Sequence, residues 1–275
     1  MNIHRGLSIC WRLWVVLALM VICLLPLLWL FVGAFKHRVD MLATSPSFFF
    51  QPTLDNFSQA FVRNEYYRFV LNSALVAVGS GTLSMILGVP AAYVFSRTKL
   101  TGRDHWLFFI LSTRMAPVAA LALPYFLLFR EVNLLNSIVG LMLGHTTLNL
   151  AFVIWTMKAF FDDVPRAVDD AARMDGLRHT QILRLLLRTV APGLAVVGVL
   201  CVVFSWNEFF LSMVLAGRRS QTLPVSILGL VTPAGTSWGQ VAAIAVATVA
   251  PVFTLVVLAG RTLVRGLTFG VLKEG

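Results

Sequence analysis

Val164-Pro165-Arg166-Ala167-Val168-Asp169-Asp170-Ala171-Ala172-Arg173-Met174-Asp175-Gly176-Leu177 is a charged interruption between two long apolar stretches. The window 162–188 around it holds five of the chain's twelve carboxylates. Read as a helix, Ala167, Ala171 and Met174 share one face at i, i+4, i+7 spacing, with Val168 and Ala172 beside them. Small residues on that face allow close approach by another surface. Asp169, Asp170, Arg173 and Asp175 fall on the flanks, interleaved with Arg166, and read as a solvated face. Gly176 then breaks the helix, because it admits a backbone turn that other residues resist. A second amphipathic helix follows, with Ile182, Leu185, Leu186 and Thr189 on one side and Arg184 and Arg188 on another. The product is helix, glycine turn, helix. A stiff protrusion of this kind, in a chain otherwise so oily, points to a docking element.

Composition sets the medium. The chain is 58% hydrophobic and only 12% charged, with a mean hydropathy of +0.83. A water-soluble chain of this size needs far more polar surface. Six apolar segments reach the length needed to cross a bilayer, near Leu13–Phe35, Phe69–Ser96, Trp106–Phe129, Leu134–Phe161, Ala191–Ala216 and Gly239–Gly260. The expected fold class is therefore all-α: one polytopic membrane domain over residues 1–275, with six transmembrane helices. The first span is read as an uncleaved signal anchor. Residues 36–68 and 217–238 form two longer loops on the side opposite the charged hairpin, which occupies 162–190. Pro26, Pro90, Pro117, Pro124, Pro192 and Pro251 fall in or beside spans, where they mark either kinks along a permeation path or ordinary packing features.

Charge sets the orientation. With a cytoplasmic amino terminus, fourteen Lys and Arg face the cytoplasm, seven face outward, and Arg114 lies inside a span. This bias places both termini and the hairpin in the cytoplasm. The net charge of +10 is then explained by loops facing anionic lipid rather than by nucleic acid. Cys10, Cys23 and Cys201 have no metal or redox spacing, and the five histidines (His4, His37, His105, His145, His179) are scattered. No phosphate-cradling glycine loop with a lysine appears. The chain carries no catalytic constellation, and it is not expected to bind ATP, a metal or another cofactor itself.

The hairpin resembles the EAA loop of permease subunits of binding-protein-dependent ABC importers. The match runs through Asp170-Ala171-Ala172, then Arg173-Met174-Asp175 and Gly176. Asp170 stands where the family has Glu, Leu177 where it has Ala, and Thr189 where it has Pro. Trp206-Asn207-Glu208-Phe209-Phe210, Arg114-Met115-Ala116-Pro117 and Arg265-Gly266-Leu267-Thr268 are similar to patterns of the carbohydrate branch, that of the smaller permease of maltose-type systems. The resemblance covers nearly the whole chain, in order. It implies a type I ABC importer permease fold in a bacterial inner membrane. It also implies a second permease, two ATP-binding cassette subunits that bind ATP and Mg, and a periplasmic or lipid-anchored solute-binding protein. Asp170, Ala171, Ala172, Asp175 and Gly176 would couple ATP hydrolysis in the partner to alternating access for a sugar or polyol. The alternatives are a stand-alone secondary transporter, or an ABC permease for amino acids or oligopeptides.

Several polar residues sit in the oil. Arg114 lies roughly 12 Å into its span and either serves a path or snorkels to the interface. Glu208 either lines the path or braces a neighbouring helix. Asn72, Asn149 and Asn207 offer hydrogen bonds to sugar hydroxyls or glue helices together. The translocation path is thus expected to involve Arg114, Asn149, Asn207 and Glu208. In the last long loop, Thr232, Pro233, Ala234, Gly235 and Thr236 are small and turn-prone. They suit either a tip that contacts the binding protein or a plain surface loop.

Overall fold

In lipid a backbone must satisfy its own N–H and C=O groups, and α-helices are one of only two ways to do so. The computed structural model describes residues 3–41, 49–233 and 235–268, with side chains between residues 11 and 260 of these segments. In chain order the helices are α1 Ile3–Ala34, α2 Arg38–Met41, α3 Asp55–Phe57 (continuing as a π-helical turn, Ser58–Arg63), α4 Tyr67–Arg97, α5 Arg103–Met115, α6 Val118–Glu131 and α7 Ile138–Asp162. They are followed by α8 Arg166–Met174, α9 His179–Thr189, α10 Ala191–Asn207, α11 Phe210–Leu215 and α12 Leu223–Ser226, the last leading into a 3-10 turn, Ile227–Leu230. A two-stranded ribbon, β1 Val231–Thr232 and β2 Gly235–Thr236, precedes α13 Trp238–Thr268.

Among the described residues, four helical segments are long and apolar enough to cross a membrane alone: Trp11–Ala34, Tyr67–Arg97, Ile138–Asp162 and Trp238–Gly260. Two bent pairs, α5 with α6 and α9 with α10, bring the number to as many as six if each pair counts as one span. The structure departs from the sequence reading in the third and fifth spans. Trp106–Phe129 is not continuous. It breaks at Ala116-Pro117, with 95° between α5 and α6. Pro117 lacks an N–H, and its ring pushes the preceding residue out of the helical region; Ala116 is accordingly extended, at φ −64° and ψ 130°. Ala191–Ala216 also breaks, at Glu208-Phe209, where Glu208 takes ψ 111°. Its carboxylate Oε1 accepts the Leu211 N–H at 2.7 Å, satisfying a backbone donor at the start of α11.

Pro26, Pro90, Pro124 and Pro251 lie within helices that continue past them. Pro192 occupies the first turn of α10, where its missing donor costs nothing. The second hairpin helix stops at Thr189 without the family's proline, and the chain turns 82° into α10.

Two compact units divide the chain. In the unit of residues 1–67 and 227–250, Asn56 is buried and clamps the end of the first helix. Its Nδ2 donates to the carbonyls of Ala34 at 2.9 Å and Lys36 at 2.8 Å. Gly239 makes room for it, since a Cβ there would stand 2.3 Å from Asn56 Oδ1. Gln240 donates to Gln59 and accepts from Asn64, which ties the start of α13 to the π-helical turn. No residue in the most apolar window of α1 is buried.

In the unit of residues 68–226 and 251–275, one apolar cluster joins the hairpin to three spans. It packs Tyr93 of α4, Phe161 of α7, Ala172 of α8, Ile182 and Leu186 of α9, and Val197 of α10. A second cluster holds Val76, Phe129, Leu141, Leu211 and Leu215. Between them runs a buried polar seam in which Ser205 of α10 shares hydrogen bonds with Ser80 of α4 at 2.7 Å and Asn149 of α7 at 2.9 Å.

Candidate functional site

Helix α8 ends in a Schellman closure. The Gly176 N–H donates to the Arg173 carbonyl and the Leu177 N–H to the Ala172 carbonyl, each at 3.0 Å, which satisfies carbonyls a helix end leaves bare. Gly176 sits at φ +77°, and among the described residues no atom beyond its chain neighbours lies within 4 Å of where a Cβ would stand. Glycine is thus needed for the backbone, not for space. Helix α9 starts with the Arg178 N–H donating to Gln181 Oε1 at 2.7 Å.

The outward face is the one the sequence spacing picks out: Ala167, Ala171 and Met174 are all exposed, Met174 by 90%. Asp170, Asp175 and Gly176 are exposed as well. Ala172 faces the other way, 3% exposed and packed into the span core.

Asp169 corrects the reading of a solvated flank, since its side chain is only 4% exposed. Its Oδ2 lies 3.1 Å from Nε of Arg97, equally buried in the last turn of α4. The missed signal was positional: Asp169 and Ala172 are i, i+3 neighbours on the face opposite the small-residue stripe. The partner could not be read locally.

The four residues expected along a path all line one cavity of about 330 Å³. Arg114 sits in the last turn of α5, where the helix dipole favours a cation. It donates to the Leu148 carbonyl, and its guanidinium lies 4.9 Å from the Phe204 ring centre and 5.6 Å from that of Phe152. Glu208 both lines the cavity and caps α11. Asn207 donates to the Val203 carbonyl of its own helix at 2.9 Å. Asn149 glues helices, donating to Ser205 Oγ and to the Cys201 carbonyl. Asn72 also acts as glue, reaching the carbonyls of Arg219 and Gln221. His145, not singled out by the sequence, reaches the same wall and hydrogen-bonds Ser212 at 3.0 Å.

At the loop tip, β1 and β2 pair antiparallel, with Thr232 opposite Gly235. The Thr232 hydroxyl donates to the Gly235 carbonyl at 2.8 Å, and Gly235 takes φ +118°. Thr232, Pro233 and Gly235 are exposed; Ala234 lies outside the described residues.

Residues 84–268 match the family described as the binding-protein-dependent transport system inner membrane component. The chain belongs to this family. It is a multi-pass membrane permease, and the matched stretch contains both the hairpin and the cavity. A probable ABC transporter permease protein of Sinorhizobium fredii is 32% identical, over 96% of this chain and 95% of that one. The permease protein of the sulfoquinovosyl glycerol transport system of Agrobacterium fabrum is 32% identical, over 91% and 89%. The permease protein of the trehalose transport system of Mycobacterium tuberculosis is 30% identical, over 94% and 97%. Among solved structures, a bacterial ABC transporter involved in the import of the acidic polysaccharide alginate superposes with a TM-score of 0.76. That match covers 94% of this permease and 96% of the other chain at 23% identity, so the two share the type I importer permease fold.

Proposed function

We propose that this permease carries a sugar or polyol across the bacterial cytoplasmic membrane by alternating access, powered by ATP hydrolysis in separate cassette subunits. The observation that carries the reading is the bare outward face of α8: Ala167, Ala171 and the 90%-exposed Met174, on a hairpin whose inward face belongs to the core of α4, α7 and α10. A stiff element with one face anchored and one face free is what transmission between subunits requires. Asp170, Ala171, Asp175 and Gly176 form the docking surface, and Ala172 seats it.

The Lys and Arg bias of the loops gives this reading its orientation. Both termini and residues 162–190 are cytoplasmic, and 36–68 and 217–238 are periplasmic. Thr232, Pro233, Ala234 and Gly235 contact a periplasmic or lipid-anchored binding protein in this reading. A second permease completes the pathway, and ATP with Mg sits on two partner cassettes. The solute class rests on relatives named for sulfoquinovosyl glycerol, diacetylchitobiose, trehalose and arabinooligosaccharides. The cavity's mixture of a guanidinium, amides and a carboxylate beside aromatic rings suits a hydroxylated solute.

Purification from the native membrane tests the assembly. An ATPase and a second permease should co-purify, and Ala171→Arg should release the ATPase while this chain still inserts. Uptake assays with labelled sugars, polyols and amino acids in membranes carrying the complex test the solute class. Transport by this chain alone, or of amino acids only, defeats the reading.

A further inference from the structure

Two side chains that are each 4% exposed and of opposite charge meet where the hairpin joins the spans, Arg97 of α4 and Asp169 of α8. Further polar ties cluster around them. Arg97 also donates Nη2 to the Val164 carbonyl at 2.9 Å, just before α8. Arg166, the first residue of α8, reaches back to the Ser96 carbonyl at 3.4 Å. The Ser96 hydroxyl donates to Asp162 at 2.6 Å, at the end of α7. The last turn of α4 is thereby fastened to both sides of the hairpin's entrance.

We infer that the Arg97–Asp169 pair is the joint that makes α4 follow α8, an inference that rests on the docking function proposed above. Apolar contacts between α8 and the spans can slide past one another at small cost. A buried pair of charges cannot separate without leaving each uncompensated in an apolar surround. Any displacement of α8 by a partner must therefore carry the end of α4 with it.

The other end of the lever lies at the cavity. Ser80 of α4 shares a 2.7 Å hydrogen bond with Ser205, and Ser205, with its partner Asn149, lines the cavity wall. One helix thus has a charged joint at the hairpin and a polar attachment at the chamber. Contiguity of this kind becomes coupling only when a change at one end is felt at the other, so the ratio of solute moved to ATP hydrolysed is the quantity to measure. Arg97 and Asp169 act as positioning residues and touch neither solute nor nucleotide.

The complete importer, co-purified from its native membrane, is reconstituted in vesicles with wild type, Asp169→Asn, Asp169→Glu or Ala171→Arg in this chain. Asp169→Asn is expected to keep the ATPase in the complex and to keep its basal hydrolysis, while solute moved per ATP falls by roughly tenfold or more. Asp169→Glu, which retains the charge, should restore part of that ratio. Wild-type solute per ATP in assembled Asp169→Asn overturns the joint. If Asp169→Asn does not assemble, the double variant Arg97→Met with Asp169→Leu removes both charges and keeps packing. Assembly with loss of coupling then supports the joint; wild-type coupling, or failure to assemble, shows a folding contact and overturns it. Ala171→Arg separates the two ideas. Release of the ATPase together with normal coupling in Asp169→Asn sinks the joint alone, whereas a retained and coupled ATPase in Ala171→Arg sinks the docking function beneath it.

Discussion

Gly176 sits in the left-handed region with open space around it, so substitutions there should sort by backbone tolerance rather than by size. Gly176→Val should cost about 1–2 kcal/mol in the turn and strongly reduce uptake. Gly176→Asn, whose side chain tolerates that region, should retain most of it; uptake at equal membrane abundance checks both. Equal uptake by the two variants would mean the closure at α8 does not need its left-handed residue. This glycine was legible because every residue of its turn is local in sequence. Asp169 was not: its burial depends on Arg97, on a helix distant in the chain, and a carboxylate among exposed neighbours reads as wet until the partner is seen. Arg114 fell between. Its cost in the membrane was plain, but its carbonyl partner Leu148 and its aromatic neighbours Phe152 and Phe204 lie on other helices.

The span breaks belong to the scale of the element, and they explain how the cavity is furnished. Ala116-Pro117 ends α5 with Arg114 in its last turn, and Glu208-Phe209 ends α10 with Glu208 aimed into α11. Neither break was visible from hydropathy, since oil continues on both sides and only polarity contrast marks a boundary. The Pro117 ring was the one clue. Arg114→Lys should behave almost like Arg114→Ala in uptake, because a compact ammonium does not reproduce a planar guanidinium set against two rings. Full uptake by Arg114→Lys would show that charge alone matters there. At the end of α1 a single amide does similar work. Asn56→Ala leaves the Ala34 and Lys36 carbonyls without their donor and should destabilise the fold by about 1–3 kcal/mol. A lower midpoint of thermal unfolding in detergent would register this, and an unchanged midpoint would refute it.

At the scale of the whole molecule, apolar lengths marked six spans where the described residues hold four unbroken ones and up to six with the bent pairs, and the hairpin followed from its interruption of them. Sidedness rests on charge bias and is open to direct test. In a chain whose three native cysteines are replaced, Gly235→Cys should react with an impermeant maleimide on intact cells, and Asp175→Cys only after the membrane is opened. The reverse pattern would invert the topology. The chamber itself is lined by both Arg114 and Glu208. The first is already engaged by a carbonyl and two rings, the second by a backbone amide. Each keeps capacity to spare, the guanidinium in its remaining N–H donors and the carboxylate in its second oxygen. A vestibule furnished this way sets donors beside acceptors, so a many-hydroxylated guest can trade one anchor for the next as the walls rock.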